Sequence, residues 1–202
     1  MTSVRILKLM INGTLVRLRA LRPEDLEQHL AWRNDPEVVH WATGGDPFFG
    51  PVTREALEIA FAAKLRLVPH QAGVLTVEST ATGQPIGLVD YRDIDPLVTR
   101  ATLGITIGDR PHWGRGHGTE ALGLLVGHLF TTMGLHRLEL DTWAGNERAQ
   151  RTFRRLGFRE EGRRRSDALV AGEWQDRVLF GLLRSEWAGE AAKVAVAAES
   201  AG

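Results

Sequence analysis

Residues 110–119 place three glycines, two arginines and two histidines directly before a helical pattern of apolar residues. The first N–H groups of a helix have no partner within it, and they carry positive potential. Glycine allows a phosphate to approach these groups because it has no side chain in the way. The segment therefore predicts an anion-binding site on the N–H groups of residues 114–119, with Arg115 adding a cation. A loop that only turns the chain is the alternative.

Two nucleotide-binding motifs can be compared with this loop. A P-loop is excluded, because no Gly-Lys-Ser/Thr follows the glycines. The series Gly116-x-Gly118-x-x-Ala121 fits the G-x-G-x-x-A form of a dinucleotide-binding turn. That motif starts at the end of a strand, whereas residues 108–113 separate these glycines from the preceding strand pattern. A dinucleotide-binding protein is kept as an alternative.

The apolar periodicity predicts a mixed α/β order of elements around this loop. Alternating runs on both sides of Asn12-Gly13 predict an N-terminal hairpin with its tight turn at that dipeptide. A helix at about 23–33 is predicted to end at the break Asn34-Asp35-Pro36, and residues 41–52 are predicted to form a loop. Further strands are predicted at about 73–80, 85–93, 100–107, 136–143, 158–167 and 174–184, and further helices at about 53–67, 117–133 and 146–156, the last capped by Gly157.

Composition limits the class of protein. The 202 residues suffice for one domain with a tail, and the formal net charge of +0 does not indicate a nucleic-acid-binding protein. The chain has no cysteine, which excludes thiolate metal ligands and a cysteine nucleophile. Arg5 and Lys8 interrupt the N-terminal apolar run, which argues against a signal peptide, and no run reaches the ~18 apolar residues of a membrane helix. The expected location is the cytoplasm.

The segment LGITIGDRPHWGRGHGTEALGLLVGHLF, residues 103–130, resembles the acyl-coenzyme-A motif of the GNAT N-acetyltransferases. The loop of that family reads Gln/Arg-x-x-Gly-x-Gly/Ala, and here it reads Trp113-x-x-Gly116-x-Gly118, with tryptophan at the first position. LHRLELDTWAGNERAQRTFRRLGFREEG resembles the family's following strand and its asparagine-started helix. WRNDPEVVHW and GEWQDRVLFGLLRSEW resemble the branch of ribosomal-protein-alanine and polyamine acetyltransferases. The resemblance covers residues 14–187.

The resemblance implies an α/β (α+β) GNAT fold, with a mixed, strongly twisted seven-stranded sheet and flanking helices. Its fourth and fifth strands splay apart in a V, and in this chain they are expected at 100–107 and 136–143. One acetyltransferase domain is expected over residues 1–187. Residues 188–202 are expected to form an alanine-rich tail that is weakly helical or disordered.

The resemblance also implies that acetyl-CoA, or another acyl-CoA, binds in the gap as cosubstrate, without a metal. The pantetheine arm is expected to pair with backbone groups of the first splayed strand and to bond with Asn146, which is equally suited to be a helix N-cap. The pyrophosphate is expected on the glycine loop. The expected cofactor-binding residues are Ile105, Thr106, Ile107, Trp113, Gly114, Arg115, Gly116, His117, Gly118, Thr119 and Asn146.

The implied reaction is the direct attack of a primary amine on the thioester in a ternary complex. Asp90 and Asp141 are candidate bases for the amine proton. Many family members protonate the leaving thiolate with a tyrosine, but that position reads Phe153, which leaves water or Thr152 for this step. The phenylalanine at the position of the family's tyrosine also supports an alternative function, a non-catalytic acyl-CoA-binding module.

The acceptor amine is left open by the sequence. A protein N-terminus, a polyamine, an amino sugar, an aminoglycoside and an amino acid are all compatible with it. No direct contact with nucleic acid or membrane is expected, and a homodimer is an open alternative to a monomer.

Overall fold

The computed structural model describes residues 9–44 and 51–189, and in these ranges eight strands form one mixed sheet. The predicted tail beyond residue 189 and part of the predicted loop, residues 45–50, lie outside the described residues. None of the described helices is long and apolar enough to cross a membrane. The α/β class and the mixed sheet are confirmed.

The strands are β1 (Met10–Asn12), β2 (Val16–Ala20), β3 (Gly73–Ser79), β4 (Pro85–Asp95), β5 (Arg100–Ile107), β6 (Arg137–Trp143), β7 (Arg159–Val170) and β8 (Glu173–Leu183). The helices are α1 (Leu26–Arg33), α2 (Pro36–Thr43), α3 (Arg54–Lys64), α4 (His117–Thr131) and α5 (Glu147–Arg155). The strand order is β1-β2-β3-β4-β5-β6-β8-β7. The sheet has eight strands where seven are predicted, because both runs of the N-terminal hairpin join it.

The pairing between β5 and β6 is short. These strands are parallel, whereas every other neighbouring pair is antiparallel, and they pair only from Arg100 opposite Arg137 to Thr102 opposite Glu139. Beyond this point β5 continues on β4 and β6 continues on β8. The sheet therefore opens into a gap between these two strands, and the predicted splay is confirmed.

The main core lies between the sheet and α4. Leu122, Leu125 and Leu129 of this helix are fully buried, as are Val89 of β4 and Leu138 of β6. Because strand side chains alternate, the neighbours of such core residues point to the other face of the sheet, which α1, α2 and α3 cover. The gap between β5 and β6 thus has helices on both sides.

The predicted break at Asn34-Asp35-Pro36 is the start of another helix, α2, and the predicted loop begins too early. The Asp35 side chain accepts hydrogen bonds from the backbone N–H groups of Glu37 (2.9 Å) and Val38 (3.3 Å), and Pro36 occupies the first helical position. These are the features of a helix N-terminus, where proline loses no hydrogen bond. Trp41, predicted in the loop, is therefore helical.

The N-terminal hairpin turns two residues later than predicted, so the prediction of a turn at Asn12-Gly13 is wrong. The Gly13 N–H donates to the Val16 carbonyl at 2.9 Å, which leaves Thr14 and Leu15 as the two turn residues. Gly13 is not in the left-handed region that the prediction assumed.

The turn is held by a carboxylate from α4. Glu120 accepts hydrogen bonds from the N–H groups of Thr14 (2.7 Å), Leu15 (2.6 Å) and Val16 (2.8 Å). A Cβ at Gly13 would lie 2.9 Å from the Glu120 carboxyl carbon, closer than real contacts of this kind. Glycine is needed here for space, and the contact fixes the hairpin against the first turn of α4.

Replacing Glu120 with alanine should lower the free energy of unfolding by about 2–3 kcal/mol, because three backbone donors lose a charged acceptor. Urea unfolding followed by circular dichroism measures this loss. Glu147→Ala is the control, because Glu147 forms an exposed ion pair with Arg151 and should cost less than about 0.5 kcal/mol. Equal stability of the two variants would contradict the assigned role of Glu120.

Candidate active site

The gap between β5 and β6 is a cleft of about 370 Å³, lined by α2, the end of β5, the glycine loop and α5. The structure brings most of the predicted cofactor-binding residues to its walls. They are Ile105, Thr106, Ile107, Trp113, Gly114, Gly116, Gly118, Thr119 and Asn146. Arg115 and His117 belong to the same loop but do not line the cleft: Arg115 is exposed, and the His117 ring packs edge-on against His112, with 4.6 Å between ring centroids.

One wall of the cleft is a strand edge. Gly108 donates to the Ile86 carbonyl at 3.0 Å, and the alternation of an antiparallel ladder then turns the backbone groups of Thr106 toward β4. The same alternation turns those of Ile105 and Ile107 into the gap. The Trp113 indole N–H donates to the Ile107 carbonyl at 2.6 Å, in agreement with this direction. The cleft is thus bordered by backbone donors and acceptors that no strand pairs.

The glycine loop forms the second wall. Gly114 and Gly116 have φ values of 71° and 87°, a conformation that glycine adopts without strain. Gly116 is the N-cap of α4, and no side chain caps the first N–H groups of this helix. A Cβ at Gly118 would lie 3.4 Å from Cγ1 of Ile107, so its absence keeps the space between α4 and β5 open.

Arginines of α5 form the opposite wall. Arg148, Arg151 and Arg155 line the cleft, and their spacing of three and four residues places them on one face of the helix. This basic face is not among the predicted site residues, although its spacing is visible in NERAQRTFRRL. Guanidinium groups and the N-terminus of α4 therefore create positive potential from two sides of the cleft.

Arg148 also spans the cleft. Its guanidinium carbon lies 4.3 Å from the centroid of the Trp113 ring and 5.1 Å from that of Trp41. Trp41 stacks on Trp143 at 5.6 Å and 16°. Burial lowers the pKa of Arg148 from its ordinary value, and Glu37 acts in the opposite direction. The stack joins α2, the glycine loop and α5 across the gap.

Asn146 is buried at the start of α5 and has partners within the protein. Its side-chain oxygen accepts from the Ala149 N–H at 3.3 Å, as an N-cap does, and its Nδ2 donates to the Trp41 carbonyl at 3.3 Å. The N-cap interpretation is therefore confirmed. The second bond fixes α5 relative to α2.

The two candidate bases lie outside the cleft lining. Asp90 accepts a hydrogen bond from Arg92 at 2.6 Å, and it covers Gly104, where a Cβ would collide with its carboxylate. Asp141 is bound by Arg177 at 2.5 Å. Both side chains lie on the sheet face opposite α4, and each carboxylate already has a cationic partner.

The position of the usual tyrosine has no hydroxyl. Phe153 lines the cleft but is 4% exposed and packs against Phe180 in the core. Tyr91 is buried elsewhere and donates to the Pro69 carbonyl at 3.0 Å. Thr152 lines the cleft, and its hydroxyl donates to the Arg148 carbonyl at 3.1 Å.

His112 lines the cleft next to the glycine loop, with its Nδ1 2.6 Å from a carboxylate oxygen of Asp109. Within residues 9–44 and 51–189, no three histidine or acidic side chains lie close enough together to hold a metal ion.

A second cavity, of about 160 Å³, lies between α1, α2, α3 and the sheet; we call it the helix cavity. His29 of α1 lines it and is 3% exposed, with its ring against Phe61 and Trp32. Burial and the charge of Lys64 lower the pKa of His29 to about 4, and Asp25 acts in the opposite direction. His29 is not among the site residues predicted from the sequence.

The acetyltransferase (GNAT) domain family matches residues 16–159 of this chain. The chain therefore belongs to the GNAT acetyltransferase family, and it is an enzyme that catalyses acetyl transfer. This result confirms the predicted family and favours the acetyltransferase over the dinucleotide-binding protein and the non-catalytic module.

Individual relatives agree with this assignment. The chain is 30% identical to the uncharacterized N-acetyltransferase p20 of Bacillus licheniformis over 85% of its length and 94% of the relative. It is 32% identical to the putative ribosomal N-acetyltransferase YdaF of Bacillus subtilis, over 87% and 94%. The fold is similar to that of the spermidine N-acetyltransferase from Vibrio cholerae in complex with CoA and spermine, with a TM-score of 0.75, 23% identity and coverage of 86% and 98%.

Stability should fall in acid as His29 becomes protonated. Its pKa is lower in the folded state than its ordinary value, so its contribution is complete above pH 6.5 and is lost as the pH falls toward 4. From these two pKa values, about 2 kcal/mol should be lost between pH 7 and pH 5. Urea unfolding at both pH values measures the loss, which should shrink by that amount in His29→Leu. An unchanged pH dependence in this variant would contradict the assignment.

Proposed function

We propose that the cleft binds acetyl-CoA and that the enzyme transfers the acetyl group to a primary amine in a ternary complex. The observation that carries the proposal is the end of β5–β6 pairing after Thr102, which leaves an open strand edge beside an uncapped helix N-terminus. The chemistry of the walls agrees with the parts of this cosubstrate, namely an amide-containing arm and a diphosphate.

The pantetheine arm carries amide groups that can pair with a strand edge as a peptide does. Ile105 and Ile107 direct their backbone groups into the cleft and are the proposed partners. Thr106, whose backbone groups face β4, contributes its side chain to the wall. Asn146 is proposed to contact the arm with its second amide hydrogen, because Nδ2 already donates one to Trp41.

The diphosphate is proposed to bind the N–H groups of the glycine loop. Gly114 and Gly116 expose the backbone, and the absence of a side chain at Gly118 leaves room above β5. Arg151 and Arg155 face the same space from α5. Arg115 and His117 belong to the loop but not to the cleft lining, so they contribute to this site only from outside the cleft.

In the proposed reaction, a neutral amine attacks the thioester carbon, the oxyanion accepts a bond from the Ile107 N–H, and the C–S bond then breaks to release the CoA thiolate. Providing a neutral amine at pH 7 costs about 4.6 kcal/mol for a lysine-like pKa. Asp90 and Asp141 accept the amine proton only through water in this scheme, because neither lines the cleft. Phe153 has no proton to give, so water or the Thr152 hydroxyl protonates the thiolate.

The proposed acceptor is a primary amine on a small molecule or a protein. Relatives are named for a ribosomal acceptor and for spermidine, which supports the class of amine but not one substrate. Release of the CoA thiol from acetyl-CoA, followed with a thiol reagent and a panel of amines, tests the activity. At least one amine should raise thiol release above hydrolysis, and a folded enzyme inactive with every amine would contradict the proposal.

Gly118→Val should reduce acetyl-CoA affinity at least tenfold, because the new side chain fills the space between α4 and Ile107. Isothermal titration calorimetry measures the affinity. Gly127→Val is the matched control on the same helix, since its Cβ would lie 3.6 Å from Trp187, outside the cleft. Both variants should keep the wild-type circular dichroism spectrum. Unchanged affinity in folded Gly118→Val would show that the diphosphate does not bind at this loop.

A further inference from the structure

The helix cavity adjoins the cleft at the end of β5. Val38, Ala42 and Thr106 line both spaces, and Thr106 lies between the two isoleucines that border the cleft. The helix cavity is therefore the neighbouring space of the cleft on the sheet face away from α4.

Two buried polar atoms of α1 lack a partner at this cavity. The indole Nε1 of Trp32 and the Nε2 of His29 are inaccessible to solvent, and neither forms a hydrogen bond with any described residue. The two side chains are 6% and 3% exposed. An indole N–H can only donate, so Trp32 requires an acceptor. Gly108 packs against the Trp32 ring, where a Cβ would lie 2.2 Å from Cγ.

The cavity also contains a cation, Lys64, that no carboxylate of the described residues contacts directly. Lys64 lines it from the end of α3, and it forms no ion pair or hydrogen bond with the parts of the chain that the structure describes. Burial lowers the pKa of Lys64, Asp90 acts in the opposite direction, and the charge of Arg33 lowers this pKa. No aspartate or glutamate is among the residues that line the cavity. Lys64 and Trp32 therefore line a space that has no acidic side chain in its walls.

We propose that the helix cavity binds a carboxylate of the acceptor, so that the substrate is an amine that also carries a negatively charged group. This inference rests on the proposed function, because it assumes that the amine reacts in the cleft. The ammonium of Lys64 and the indole N–H of Trp32 would each donate to the carboxylate, which gives both groups their missing partner. A polycation would instead bring positive charge to Lys64.

The size of the cavity agrees with a small group. Its volume of about 160 Å³ is comparable to that of an engineered cavity that holds one benzene. The carboxylate can belong to a free amino acid or to the acidic first residue of a peptide. Both sources offer the same charge to Lys64, and they differ in the chain that continues beyond the amine.

Matched substrates separate these cases. Thiol release is measured with free glutamate and its diamide, with peptides that begin with Asp or Asn, and with spermidine. Wild-type enzyme should favour the acid over its neutral partner at least tenfold in kcat/KM, within the amino acids or within the peptides, and the pair that shows this preference identifies the source. Equal rates for acids and amides, or a preference for spermidine, would overturn the inference and leave the acetyltransferase proposal intact.

Lys64→Met tests the cation. It should remove the preference through a higher KM for the acid, with kcat, the KM for the amide and acetyl-CoA affinity unchanged. Arg66→Met is the matched control, because it removes an exposed cation just beyond the same helix and should behave as wild type. Trp32→Phe should reduce the preference in part, because it removes only the indole donor. A Lys64→Met enzyme that keeps the full preference would overturn the inference.

A binding measurement separates this inference from the activity. N-acetylglutamate and the N-acetylated Asp peptide, the products expected from the two acids, should shift the Trp32 indole N–H resonance, identified by its loss in Trp32→Phe. The corresponding neutral products should not shift it. If no amine is acetylated but either acid shifts the resonance, the activity is wrong and the carboxylate site stands. If neither acid shifts it, the carboxylate site is wrong.

Discussion

The site depends on the point at which β5 and β6 stop pairing. Backbone N–H and C=O groups inside a protein must find partners, and beyond Thr102 each strand satisfies only the groups on its outer side. The Ile107 carbonyl accepts from the Trp113 indole, whereas the inner groups of Ile105 and the Ile107 N–H have no partner strand among the described residues. A ligand that offers amides or carbonyls can pair with these groups. Helices on both faces of the sheet keep the opening from closing by rearrangement of the strands.

The two walls of the gap attract an anion in different ways, one through glycines and the other through arginines. On one side, Gly116 and Gly118 have no side chains, so a ligand can reach the backbone donors. On the other, α5 presents a row of guanidinium groups, and Arg148 lies against the rings of Trp41 and Trp113. Backbone dipoles give direction over a short range, whereas arginine charges act over a longer one, so together they attract and orient an anionic ligand.

The features that the sequence predicts correctly are those that a local signal determines. The glycines before α4, the Asn146 cap and the left-handed Gly157 at φ 93° are all set by neighbouring residues. The start of α2 was predicted wrongly, because the dipeptide Asp35-Pro36 is equally typical of a break in the chain and of a helix N-terminus. The position of the hairpin turn was predicted wrongly, because the turn is held by Glu120, which is more than a hundred residues away in the chain. The ion pair of Asp141 with Arg177, and the helix cavity, arise only when distant elements pack together.

The hairpin contact has a consequence for the charge of the anion-binding loop. Glu120 lies in the first turn of α4, where a free carboxylate would repel an approaching phosphate. Three backbone N–H groups of the turn after Gly13 donate hydrogen bonds to that carboxylate and shield the loop from its charge. The beginning of the chain thereby tunes the electrostatic potential of a helix near its middle. A bulkier residue at position 13 would push the turn off Glu120, and the uncovered acid would weaken the loop's attraction for negative charge.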